Sequence, residues 1–125
     1  MINFSNNTLS TLNKLVNQKY YKKILIISGR TSYFASGAEK LLKQTLKSKE
    51  TYLLLKRSKY PEIRELKKII LYVRRIKPDL IIAVGGGSVI DYAKMANILN
   101  PHINLKKQII NSDYGKSKKF TKLLA

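Results

Sequence analysis

Cysteine is missing altogether, which excludes disulfides and thiolate metal sites. Histidine occurs once, as His102 just after Pro101, where it reads as a solvated loop residue. One imidazole cannot supply a metal site of the needed denticity. Acidic residues number 7 against 25 Lys and Arg. Seven scattered acids form no paired-carboxylate site, and no Ser/His/Asp or Cys/His arrangement can be assembled. No stretch approaches the roughly 18 consecutive apolar residues of a membrane span. The N-terminus also lacks the basic-then-apolar pattern of a secretory signal. A cytoplasmic chain without a membrane partner is expected, and one with little reaction chemistry of its own.

What remains is ample for a core. Apolar residues make up 44% of 125 residues, which suits one domain or one part of a larger protein. The formal charge of +18 raises nucleic acid as a partner. Yet the basic residues are spread over every segment and accompany an abundance of Ile, Asn and Tyr, which is a general compositional bias. A diffuse positive field would still draw in a small anionic ligand. Salt-dependent retention on DNA would mark the alternative, a basic nucleic-acid-binding domain.

The chain alternates two kinds of pattern. Residues 9–18 carry Leu9, Leu12, Leu15 and Val16 at helical spacing. Residues 23–28 and 80–84 are continuously apolar and branched, as in parallel strands covered on both faces; residues 51–55 form a shorter strand. Residues 29–34 read as a polar turn leading to a helix over 35–46, with Ala38, Leu41, Leu42, Thr45 and Leu46 on one stripe. Pro61 suits the first position of a helix over 62–76, striped by Ile63, Leu66, Ile69, Ile70, Val73 and Ile76, and Pro78 ends it. A further helix from Ser88 carries Val89, Ile90, Ala93, Ala96 and Leu99 and stops before Asn100-Pro101. Tyr20, Tyr21, Tyr60 and Tyr72 are expected to pack at sheet edges or helix ends. In the tail, 108–110 is a short strand or a helical turn, 113–116 a turn, and 120–125 the start of another strand. The order strand, helix, strand, helix, strand, helix with short connections predicts an α/β fold, a doubly wound parallel sheet.

The pivot of this pattern is the run from Leu80 to Lys94. A buried strand ends in Gly85, Gly86 and Gly87, and a helix starts at once. Ser88 can cap that helix, with Asp91 three residues on in the capping-box position. Free N–H groups at a helix start, preceded by bare backbone, favour an anion. A phosphate-bearing ligand is the natural occupant, since a plain strand-to-helix turn needs only one glycine. Asp91 thus has a capping role as well as a ligand role open to it. Lys94, one helical turn further, can pair with Asp91.

Gly-Gly-Gly-Ser-x-x-Asp-x-Ala-Lys, here Gly85 to Lys94, resembles the signature of the iron-containing (group III metal-dependent) alcohol dehydrogenases. It departs from the common dinucleotide fingerprint, because Asp91 stands where that pattern has its third glycine. The resemblance implies a Rossmann-like N-terminal dinucleotide-binding domain over residues 1–125. Gly86, Gly87 and Ser88 would contact the pyrophosphate, Gly85 would let the strand end close to the ligand, and Asp91 would face the nicotinamide end of the cleft. The lead-in 2–12 is similar to the family's first segment, but Ser5 replaces its Gly and the upstream hairpin strand is missing. The family's metal ligands, one Asp and three His, belong to a C-terminal helical domain absent from this sequence. A divalent metal (Fe or Zn) and a small aldehyde or alcohol substrate are therefore implied only for a complete protein. The chain itself is expected to be inactive, with an open cleft wall that favours self-association into a homo-oligomer.

Cofactor preference is implied by the first strand. NAD-preferring relatives commonly carry an Asp at its end; here that position is Gly29, with no acid between Ile24 and Ala38. Arg30, Thr31 and Ser32 offer a cation and two hydroxyls to a 2′-phosphate. NADP(H) is expected to be preferred, with NAD(H) as the other cofactor. The run from Ser28 to Ala38 is similar to a phosphonoacetaldehyde-reductase-like branch. The alternative within the same fold is a stand-alone, non-catalytic dinucleotide-binding module.

Overall fold

Branched apolar residues fill both central strands, and their period of two sorts them onto the two sheet faces. The computed structural model describes residues 10, 12–14, 17, 21–35, 37–57, 62–99, 104, 107 and 122–124. The elements are β1 (Lys23–Gly29), α1 (Arg30–Ala35), α2 (Ala38–Thr45), β2 (Glu50–Lys56), α3 (Ile63–Ile76), β3 (Leu80–Val84), α4 (Gly87–Ile98) and β4 (Lys122–Leu124). They build a four-stranded sheet in the order β2-β1-β3-β4, parallel at every pairing. Leu25 and Ile27 of β1 join Ile81 and Ala83 of β3 against α3 and α4. Ile24 and Ile26 join Leu80, Ile82 and Val84 against Leu12, Tyr33, Ala38, Leu42 and Leu46 on the other face. The doubly wound α/β class holds. Each fully buried Leu or Ile contributes about 1.5–3 kcal/mol, so truncating Ile27, with no exposed surface, would remove about 2–5 kcal/mol.

The helices follow their stripes, with two corrections. Residues 29–34 are not an open turn: α1 begins directly after β1. Tyr33, 4% exposed, drives this, because a helical turn carries its ring down onto α2. The helix expected over 35–46 is correspondingly broken, since Gly37 sits at φ 81 in the left-handed region, where glycine is tolerated best. In α3 the stripe starts at Leu66, while Ile63 in the first turn is exposed. Lys77 closes α3 in the left-handed conformation, its N–H bonded to the Val73 carbonyl at 2.9 Å, and Pro78 prevents continuation.

Side-chain bonds then lock the frame. The Asp79 carboxylate accepts from the backbone N–H groups of Lys22 (3.0 Å) and Lys23 (2.9 Å), which aligns the starts of β1 and β3. Tyr92 of α4, buried to 1% exposure, takes the N–H of Glu62 on its hydroxyl and donates back to the Glu62 carbonyl at 3.2 Å. Arg74 of α3 donates to the Leu99 carbonyl at 3.0 Å. Tyr21 and Tyr72 are partly buried and pack against the two core clusters. The strand read at 120–125 is β4. Pro61, Tyr20, Tyr60, His102, most of the helix at 9–18 and the tail features at 108–110 and 113–116 lie outside the described residues.

Candidate functional site

Because β1 and β3 are parallel neighbours, with Ser28 paired to Val84, the chain leaves the sheet at Gly29 and Gly85 side by side. A Cβ built on Gly85 would lie 3.7 Å from the Gly29 nitrogen. The buried Ser28 hydroxyl donates to the Gly29 carbonyl at 2.9 Å and finishes the strand end.

The three consecutive glycines are not equivalent. Gly85 has φ 142, and a Cβ there would meet Val89 Cγ2 at 3.0 Å and Val89 Cβ at 3.3 Å. Fold and packing both demand glycine at this position, and the close approach it permits is to Val89 and Gly29. Gly86 is extended (φ −79, ψ −174), and neither it nor Gly87 would bring a Cβ within 4 Å of another described atom beyond its chain neighbours. Both are exposed. Packing of the described residues does not require either of these two to be bare.

Gly86 is also the N-cap of α4, which corrects the cap assigned to Ser88 and the capping box assigned to Asp91. Ser88 is the second residue of the helix and Asp91 the fifth. The glycine run lets the helix start two positions earlier than a serine cap would. The N–H groups of Val89 and Ile90 both turn back to the Gly86 carbonyl, at 3.1 and 3.2 Å. Those of Gly87 and Ser88 are left to point out of the helix end. Asp91 and Lys94 are exposed, and no ion pair joins them; an ion pair at helical spacing does join Glu39 and Lys43, at 2.7 Å.

Arg30 is the first residue of α1 and is exposed; Thr31 and Ser32 follow it in the same helix. Gly29 pairs with Lys56 at the end of β2, so Arg30 and Arg57 leave the sheet at the same level. Arg30, Lys56 and Arg57 line one open cleft of about 700 Å³ with residues 53–55. Sequence reasoning passed over Lys56 and Arg57, because only the strand order puts the end of β2 beside that of β1. A second cleft of about 600 Å³ between β2 and α3 mixes Glu62 and Glu65 with Lys56, Arg57, Arg64 and Lys68. Among the described residues no group of three or more His, Cys, Asp or Glu is placed to hold a metal, and no helix is long and apolar enough to cross a membrane.

A family model described as iron-containing alcohol dehydrogenase matches residues 1–125. An alcohol dehydrogenase from Thermococcus barophilus is 37% identical over 65 residues, which is 50% of this chain and 17% of that protein. An iron-containing alcohol dehydrogenase from Thermococcus thioreducens superposes with a TM-score of 0.64 at 27% identity, covering 80% of this chain and 27% of that one. The aldehyde reductase YqhD from E. coli gives a TM-score of 0.68 with the same coverages; at 23% identity it speaks for the fold alone. The chain thus spans about a quarter of the length of these solved structures. With a match along its whole length, the chain belongs to the iron-containing alcohol dehydrogenase family, of which it represents the N-terminal portion.

Proposed function

We propose that this chain is the dinucleotide-binding portion of an NAD(P)-dependent alcohol dehydrogenase acting on small aldehydes or ketones, with NADP(H) as the preferred cofactor. The observation that carries this reading is the contrast among the glycines. Gly85 is required by the fold, whereas Gly86 and Gly87 leave open space in front of two outward N–H groups. Such a cradle suits a pyrophosphate at the positive end of a twelve-residue helix. When bound, the nicotinamide exchanges hydride with the substrate carbon. The protein's own task here is to bind and orient: Gly86, Gly87 and Ser88 hold the pyrophosphate, and Gly85 keeps strand and helix in contact. Asp91, exposed four residues beyond Gly87 and so on the same side of α4, faces the cleft toward the nicotinamide.

The NADP(H) preference rests on Gly29 at the end of β1, where no carboxylate is available to repel a 2′-phosphate, and on the exposed Arg30 beside it. The chain supplies no metal-held chemistry by itself, so it turns over no alcohol even with iron or zinc added; metal-dependent turnover by the isolated chain would refute that. The same reading places it in the cytoplasm, with a homo-oligomer as its assembly. Titration of reduced-cofactor fluorescence tests the central assignment. Gly87→Val combined with Ser88→Ala should abolish binding in a chain that still folds, because the branched side chain occupies the phosphate's space. Undiminished affinity in the folded variant would place the ligand elsewhere.

A further inference from the structure

We infer that the outer edge of β2 is a pairing surface for a second copy of this chain, with the two strands antiparallel about Leu53. This rests on the homo-oligomer of the reading above and is independent of its cofactor. All seven residues of β2 pair with β1, and among the described residues no strand meets its other side. None of the seven is buried, whereas five of the seven in β1 are. Clefts run along β2 on both faces, about 240 Å³ on the α2 side and about 600 Å³ on the α3 side, so neither helix covers the edge. Edge strands are ordinarily blunted by proline or by charges along their length. Here four apolar residues, Tyr52 to Leu55, stand uninterrupted with charges only at the two strand ends, and Leu53 is 40% exposed.

The register follows from the backbone. Main-chain groups of successive strand residues point alternately to the two sides of the strand. The Glu50 N–H bonds to the Lys22 carbonyl at 3.0 Å, so Glu50, Tyr52, Leu54 and Lys56 turn theirs to β1, and Thr51, Leu53 and Leu55 turn theirs outward. The next outward N–H, that of Arg57, is already taken by the Glu65 carboxylate at 3.0 Å, which ends the available edge at Leu55. An antiparallel twin centred on Leu53 uses all that is left. Thr51 meets Leu55 of the second copy and Leu53 meets its own counterpart, each as a hydrogen-bonded pair. In between, where facing side chains approach more closely, Tyr52 meets Leu54 and Glu50 meets Lys56. The strand ends are thus complementary in charge, at both ends of the contact. Glu50 and Lys56 also share a sheet face with Tyr52: the Glu50 carboxylate accepts from the Tyr52 hydroxyl at 2.5 Å, and the Lys56 ammonium lies 5.9 Å from the centre of the Tyr92 ring. Moving the centre by one residue sets Glu50 against Leu54, or draws in Arg57, and loses both charge pairs. Each chain has one such edge, so the contact is self-complementary and closes at two copies. Repulsion between two chains of +18 opposes it, and pairing should strengthen as salt screens that field.

Sedimentation velocity of the purified chain over a wide concentration range, at low salt and at about 0.5 M salt, tests this. A monomer–dimer equilibrium that salt shifts toward the dimer is expected. Leu53→Lys sets two like charges at the axis and should weaken dimerisation about tenfold or more, while Leu71→Lys, the same change at a position 44% exposed on α3, should alter it less than about twofold. Glu50→Lys and Lys56→Glu should each weaken pairing; combined, they leave the net charge unchanged and should restore it. In the unaltered chain, deuterium exchange at the amides of Thr51, Leu53 and Leu55 should slow as concentration rises, with those of Tyr52 and Leu54 unchanged, a readout that needs no variant to fold. Dimers that survive Leu53→Lys, or that respond equally to Leu71→Lys, would place the contact elsewhere and overturn the inference while the homo-oligomer stands. Failure of the combined exchange to restore pairing would overturn the register. A chain that stays monomeric throughout removes both the inference and the homo-oligomer, and cofactor titration then still decides the dinucleotide reading by itself.

Discussion

Two strands end side by side in this domain, and they hand over to their helices in opposite ways. At the end of β3 three glycines strip the backbone, and α4 runs for twelve residues from a glycine cap. At the end of β1 a single glycine is followed at once by Arg30, Thr31 and Ser32 in a six-residue helix, which Gly37 then breaks. The first exit presents N–H groups and open space; the second presents side chains. Backbone donors cannot tell one phosphate ester from another, whereas side chains can. In the proposed reading, binding strength and cofactor choice belong to different exits, one strand apart.

The sharpest way to break that comparison is to treat the glycines as interchangeable. Gly85→Val places a branched side chain at φ 142 and against Val89. It should destabilise the domain by about 3 kcal/mol or more, while Gly87→Val shifts stability by only about 0.5 kcal/mol. Urea unfolding of the two variants reads both numbers; equal midpoints would show that the three glycines share one role. Next in size is the side-chain exit. Arg30→Ala should lower NADP(H) affinity by about 1.5–3 kcal/mol and leave NAD(H) nearly untouched, as calorimetry with each cofactor on the complete protein would show. Tighter NAD(H) binding in the unaltered protein would sink the preference itself. The smallest effect concerns how the bare exit is held. Tyr92→Phe removes the hydroxyl that bridges α4 to Glu62 and should destabilise by about 1 kcal/mol. A thermal melt detects this, and no shift would mean that water serves Glu62 equally well.

The sequence made the centre of the sheet legible because β1 and β3 are apolar without interruption, a pattern that exposed strands cannot carry. The stripes of α3 and α4 were legible for the same reason, over enough turns to show a period. α1 was not, since six residues cover less than two turns and its Tyr33 looks like any loop aromatic until α2 is packed beneath it. The helix start at Gly86 was hidden by a plausible serine cap two positions later. Tyr92 was missed because its hydroxyl is answered by Glu62 from a different element. The glycine run suggested an anion site as a whole, yet only the structure separates Gly85, held by its contact with Val89, from Gly86 and Gly87, which no described atom requires to be bare. Lys56 and Arg57 could not be placed at all without strand order.

The short β4 has a consequence for how the sheet breathes. It meets β3 at three positions, Leu80, Ile81 and Ile82, while β1 meets β3 at all five residues. Among the described residues, Ala83 and Val84, just before the glycines, are paired with β1 alone. Amides of β3 turned toward β1 should exchange with deuterium only when the whole domain opens, whereas those turned toward β4 can exchange through local fraying at a lower free energy. The strand that leads into the glycine run is thus anchored along its whole length on the β1 flank.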